Sequence, residues 1–241
     1  VITGSTSVEK ILNDMADEFQ ALNPDVQINY TGTGSSSGIT DTLSGTNTLG
    51  ASSRKIKAEE KEGGLDETVF AYDGIAVIVN NANSLTDISA EELAKIYSGE
   101  INNWSQLGGM DGEIEVVSRE GASGTRTAFE ELVKLEDHGG LLLDATVVEG
   151  NGSVQLSVSG NENAIGYVSF SYINDTVKAL NIEGVEPTSE NAKNGTYNLS
   201  RPFLFVHLTG QLSPEAKAFL EYAVSEDGQS YVEEHGGIKV N

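Results

Sequence analysis

The chain contains no cysteine, so neither a disulfide framework nor a thiolate metal site is open to it. Basic residues are scarce: 14 Lys and Arg stand against 37 Asp and Glu, a formal net charge of -23 at pH 7. A surface of that sign repels a phosphodiester backbone, which excludes nucleic acid as a partner. The only histidines, His138, His207 and His235, are too widely spaced for a metal site, and no metal or other cofactor is expected. Only four prolines are present, and no Pro- or Ser-rich tether divides the 241 residues. No apolar run approaches the roughly 20 residues of a membrane-spanning helix.

The periodicity of what remains is that of an α/β protein. Val8, Ile11, Leu12, Met15, Phe19 and Leu22 recur at helical spacing up to Asn23-Pro24, and Val26, Ile28 and Tyr30 then alternate as a strand. Ile39 to Leu43 opens another helix. Ile75-Ala76-Val77-Ile78-Val79 and Pro202-Phe203-Leu204-Phe205-Val206 are apolar enough for buried strands. Ser89 caps a helix carrying Leu93 and Ile96, and Gly150 to Ser153 begins another. Near the end Ser213 caps and Pro214 takes the first helical position, with Ala218, Phe219, Tyr222 and Ala223 as the apolar stripe. The alternation of strand and helix predicts largely parallel sheets flanked by helices.

The chemistry is concentrated in three turns between a strand and a helix. The most informative is Ser118-Arg119-Glu120-Gly121-Ala122-Ser123-Gly124-Thr125-Arg126, which follows the strand-like Ile114 to Val117 and precedes a helical segment. Free N–H groups at a helix N-terminus, the positive end of its dipole and a forked guanidinium suit a tetrahedral oxyanion. An ordinary helix capped by Ser123 would look the same in isolation. Gly4-Ser5-Thr6-Ser7 and Thr33-Gly34-Ser35-Ser36-Ser37-Gly38 repeat the glycine–hydroxyl composition, and in a parallel sheet such turns gather at the carboxyl ends of the strands.

Enzymatic alternatives fit less well. Gly34-Ser35-Ser36-Ser37-Gly38 matches the Gly-x-Ser-x-Gly nucleophile elbow, with His207 or His235 available as a later base. Such an elbow follows several strands, whereas here about two precede it. No Gly-Lys-Ser/Thr completes a phosphate loop of the nucleotide-binding kind, and the glycine spacing of a dinucleotide fingerprint is missing. Trp104 is expected to pack beneath a loop.

In their order along the chain, these segments resemble the phosphate-binding proteins of bacterial phosphate ABC transporters, in their shorter variety. The likeness rests on Gly4 to Val8, Gly32 to Gly38, Gly50-Ala51-Ser52-Ser53-Arg54, Asp73 to Asn80, Ile96-Tyr97-Ser98-Gly99 with Asn103-Trp104, Arg119 to Arg126, and Ala164 to Tyr167. It implies a two-lobed type II periplasmic-binding-protein fold, each lobe a mostly parallel sheet flanked by helices, with two crossover strands as the hinge. Residues 1–74 and 203–241 would form one lobe and 75–202 the other. It further implies a monomeric, extracytoplasmic, non-enzymatic receptor, in the periplasm or lipid-anchored at the cell surface. That receptor would hold inorganic phosphate in the cleft and pass it to a membrane-embedded permease. Ser5, Thr6, Ser36 and Ser53 would lie on one side, with Arg119, Ser123, Gly124 and Thr125 on the other.

One position departs from the pattern. Members of the family often carry an aspartate after Gly-Ala-Ser, where it accepts the proton of hydrogen phosphate; this chain has Ser53. Asp73 is the expected replacement, against the alternative that Asp73-Gly74 merely forms a turn. Sulfate, molybdate or arsenate is the competing ligand class, and an esterase or phosphatase using Ser36 the competing activity. The acidic surface also suggests adaptation to a saline setting, where the Debye length falls to ~3 Å at 1 M salt. The unfolding midpoint should then rise with salt concentration, and a flat profile would remove that reading.

Overall fold

The computed structural model describes residues 1–241. Its amino-terminal part runs β1 (Ile2–Gly4), α1 (Glu9–Leu22), β2 (Tyr30–Gly32), α2 (Ser35–Leu43), β3 (Leu49–Ser52), α3 (Ala58–Glu62) and the long β4 (Leu65–Val79). The middle contains β5 (Asp87–Ile88), α4 (Ala90–Ser98), β6 (Glu115–Arg119), α5 (Gly124–Leu132), β7 (Thr146–Val148), α6 (Gly150–Ser159) and β8 (Ala164–Ser169). Then come β9 (Lys178–Ala179), β10 (Asn181–Ile182), α7 (Ser189–Lys193), β11 (Ser200–Leu208), α8 (Pro214–Ala223), α9 (Glu226–Glu234) and β12 (Ile238–Lys239). No helix is long and apolar enough to cross a membrane.

The chain divides into two compact units. One comprises Val1–Asp73, Ala122–Gly124 and Arg201–Asn241; the other comprises Gly74–Gly121 and Thr125–Ser200. The divisions fall inside β4 and β11, after Asp73 and before Arg201. The sequence placed them after residues 74 and 202, and it assigned Ala122 to Gly124 to the other unit.

In the first unit β1 pairs in parallel with both β2 and β3, aligning Gly4 with Gly32 and with Ala51. β11 runs antiparallel to β3, and β12 antiparallel to β4. Val8, Ile11, Leu12, Met15 and Phe19 of the first helical stripe enter the core with Phe70, Phe203, Phe205 and Phe219. Leu22 does not: as the last residue of α1 it lies beyond the core cluster and is 61% exposed. Val26 and Ile28 pack against the core as extended chain, and ladder pairing begins only at Tyr30. The stripe of α8 is Ala216, Phe219, Leu220 and Ala223; Ala218 is exposed. That phase offers the core the bulkier Leu220.

In the second unit β6 lies parallel to β7 and β8, and β8 is antiparallel to β4. Ser89 and Glu92 close a capping box at the start of α4. Trp104 is fully buried and donates its indole N–H to the Asn163 carbonyl at 3.0 Å, as a packing residue should. Asp73-Gly74 is not a turn but continuous β4. Gly74 is required there for space, since a Cβ would lie 2.1 Å from the Phe170 ring. Gly74→Ala should therefore cost about 1–3 kcal/mol of unfolding free energy through displacement of that ring, measured by urea titration; a neutral substitution would show that Phe170 yields freely.

Candidate anion-binding site

The three parallel strands β1, β2 and β3 deliver their carboxyl ends to one edge of the first unit, as the sequence pattern anticipated. β1 ends into Ser5 and a short 3-10 turn, Thr6–Val8. β2 ends into α2, whose first turn is the serine run itself, because the helix begins at Ser35. β3 ends at Ser52, followed by Ser53 and Arg54.

Their hydroxyls converge. Ser5 Oγ donates to Ser53 Oγ at 2.8 Å, and Ser35 Oγ lies 3.2 Å from Ser53 Oγ. Ser35 Oγ also accepts the Ser53 backbone N–H at 3.0 Å, and Ser5 Oγ accepts that of Ser7 at 3.2 Å. All three serines are buried. The Tyr30 hydroxyl donates to the Ser5 carbonyl and steadies the first turn from below.

Ala122–Gly124, the start of α5, completes this cluster. The Ala122 carbonyl accepts the Ser36 N–H at 3.1 Å. A Cβ on Gly124 would stand 2.1 Å from Ser35 Oγ and 2.8 Å from Ser53 Oγ, so only glycine admits this approach. The N-terminus of α2 and Gly124 thus meet at one group of hydroxyls, and the free N–H groups of the α2 start are of the sign an anion requires.

Ser36, the serine singled out from the sequence, is placed differently from Ser35. It is half-buried, and its hydroxyl receives Arg54 Nη2 at 3.2 Å. Arg54 is in turn gripped by Glu60, with Nη2 to Oε1 at 2.7 Å and Nη1 to Oε2 at 2.9 Å. Burial works to raise the Glu60 carboxyl, but hydrogen bonds from Arg54 and the Lys57 N–H, with the nearby positive charge, hold it below its ordinary value. The esterase reading loses its base here: a guanidinium can only donate. His207 rests near the Leu208 carbonyl, and His235 pairs with Asp14 at 2.6 Å.

In the second unit Arg119 ends β6 and is buried. Glu120 clamps it from Nε to Oε2 and from Nη2 to Oε1, both at 2.8 Å. Burial again favours the neutral acid, and the hydrogen bond and charge of Arg119 override it, keeping Glu120 below the usual carboxylate range. The strand is positioned by Tyr167, whose hydroxyl lies 2.9 Å from Ser118 Oγ and accepts the Arg119 N–H at 3.4 Å. Burial pushes the Tyr167 phenol up to about 12, so it stays protonated; its ring stacks on Phe129 at 4.1 Å. Ser123 and Thr125 are buried beside the α5 start, whereas Thr6 is half-buried.

Asp73 has been given another task. Its Oδ2 accepts Arg201 Nη2 at 3.0 Å and Nε at 3.2 Å, and both side chains are nearly inaccessible. Arg201 Nη2 also reaches Ser7 Oγ at 3.2 Å, so the pair braces the first turn. The sequence signalled neither this partner, 128 residues away, nor the roles of Ser35, Arg54, Glu60 and Glu120. Arg54 stood within the Gly50 to Arg54 motif, but nothing marked its bond to Ser36.

This fold and this collection of turns define a solute-binding protein, and the chain belongs to the PBP superfamily, whose domain matches residues 1–227. Within it, the chain falls among the phosphate-binding proteins called PstS. It is 34% identical to that of Borreliella burgdorferi over 249 residues, covering 99% of this chain and 89% of the relative. It is 36% identical to that of Bacillus subtilis over 245 residues, covering 99% and 80%. A solved Clostridium perfringens protein, assigned to phosphate ABC transport as a substrate-binding protein and holding bound phosphate, is 44% identical with a TM-score of 0.96. That match covers 100% of this chain and 98% of the other.

Removing one member of a buried ion pair strands the other. Asp73→Asn should therefore lower the unfolding free energy by about 3–5 kcal/mol, read as a fall in urea midpoint at unchanged slope. A loss below about 1 kcal/mol would match a surface pair instead.

Proposed function

We propose that this chain is an extracytoplasmic receptor that binds inorganic phosphate and delivers it to the membrane-embedded permease of an ABC transporter. It is a transport receptor and not an enzyme. The observation that carries this reading is the buried cluster of Ser5, Ser35 and Ser53 closed by Gly124, in a chain alike over its full length to phosphate-binding proteins.

The proposed ligand groups are Ser5, Thr6, Ser36 and Ser53 with Ser123 and Gly124 from the first unit, and Arg119 and Thr125 from the second. A phosphate dianion presents four oxygens, and neutral hydroxyls and N–H dipoles meet most of that demand without a matching count of cations. Arg119 supplies the strong charge-assisted bond, tempered by Glu120. With Asp73 committed to Arg201, the proton of hydrogen phosphate is proposed to meet a serine oxygen of the cluster, since a hydroxyl accepts as well as donates.

Calorimetric titration with phosphate, sulfate and molybdate tests the reading. Phosphate should bind stoichiometrically and without turnover, and Arg119→Ala should weaken it by about 2–5 kcal/mol, as expected for breaking a buried charged contact. Preference for sulfate or molybdate would reassign the ligand, and hydrolysis of a phosphoester lost in Ser36→Ala would replace the receptor reading with an enzymatic one.

A further inference from the structure

Ser36 is a proposed hydroxyl ligand whose oxygen receives a hydrogen bond from a side-chain cation, Arg54 Nη2, at 3.2 Å. The donor, Arg54, is held through both terminal nitrogens, although its buried Nε has no hydrogen-bond partner. Its side chain is 3% exposed, both terminal nitrogens meet Glu60, and Nη1 also donates to the Lys55 carbonyl at 2.9 Å. Glu60 is itself anchored, its Oε2 accepting the Lys57 N–H at 2.8 Å at the start of α3. All of these groups belong to the first unit. The guanidinium therefore meets Ser36 Oγ from a fixed direction.

That contact has a chemical consequence. A hydroxyl carries one proton and two lone pairs, and a guanidinium has no lone pair to offer. Ser36 Oγ must accept from Arg54, so its proton points elsewhere. Positive charge behind the oxygen also strengthens its O–H as a donor and weakens the remaining lone pair as an acceptor. The Ser35–Ser53 contact is under no such constraint, since either oxygen can be the donor.

We propose that Arg54, clamped by Glu60, is a positioning and specificity-determining residue that fixes Ser36 as a donor, so that Ser36 reads a phosphate oxygen bearing no proton. The site then favours the dianion over the monoanion at that position. The oxygens of Ser35 and Ser53, either of which can donate in their contact, are left to meet the protonated one. This inference rests on the phosphate reading and on Ser36 as a ligand.

The test is calorimetric titration with inorganic phosphate on the wild-type chain, Arg54→Lys, Ser36→Ala and the double variant, at acid and at mildly alkaline pH. Lysine keeps the charge but cannot grip Glu60 and reach Ser36 in the same fork. Arg54→Lys should weaken binding at alkaline pH on the order of tenfold, the scale of one charge-assisted hydrogen bond. It should weaken binding less at acid pH, shrinking the ratio of the two affinities. In the Ser36→Ala background it should have no further effect. Glu60→Gln, which keeps Arg54 but loosens its clamp, should shift the ratio in the same direction and serves if Arg54→Lys unfolds. Additive losses in the double variant, or an unchanged pH ratio, would overturn the role of Arg54 while leaving phosphate binding intact. A wild-type chain that ignores phosphate at both pH values would overturn the phosphate reading and this inference together.

Discussion

A guanidinium removed from water needs a carboxylate, and this protein meets that need at three buried positions. Arg54 is held by Glu60, Arg119 by Glu120 and Arg201 by Asp73. The desolvation cost of each ion is several kcal/mol, so such pairs are weak contributors to net stability but costly to break. What they provide is direction. Arg119 is presented at the end of β6, Arg54 against Ser36, and Arg201 against Ser7 of the first turn. Each pair is also neutral as a whole, which leaves hydroxyls, N–H groups and helix termini to supply most of the attraction for an anion.

That division of labour explains how a chain of net charge -23 can hold an anion at all. Surface carboxylates are screened beyond about 8 Å at physiological ionic strength. Dipoles fixed at contact distance in a drier environment are not. The acidity therefore acts on encounter and solubility, whereas affinity is set by a few ångströms of geometry.

Much of this was legible in the sequence. Apolar periodicity located β4, β11, α1 and α8, and glycine–hydroxyl turns after strands located the edge where Ser5, Ser35 and Ser53 converge. The errors are instructive. The stripe of α8 was misphased because Ala and Tyr sit well on either face, while packing decides for Leu220. Ser35 and Ser36 were indistinguishable as members of one serine run. The helix begins at Ser35 and not at Ile39 as its apolar residues suggested, and about 100° of helical rotation between neighbours sends the two hydroxyls to different partners. Asp73 looked available because Asp-Gly often turns; its partner Arg201 is distant in sequence and near only through the pairing of strands.

Composition and local pattern by themselves determined that the chain is α/β, that its charge is strongly acidic, and that its strand-to-helix turns have the composition that suits a tetrahedral anion. Those properties follow from residue type and spacing within a few positions. Only the tertiary structure decided which serine faces which group, which carboxylate neutralises which arginine, and why Gly124 must lack a side chain. These depend on distances between segments far apart in the chain, to which local spacing is blind. The Ser118 to Arg126 turn could be recognised from its residues as a helix start of the kind that suits an anion. Its meeting with Ser35 and Ser53, where a single methyl group would not fit, is a property of the fold.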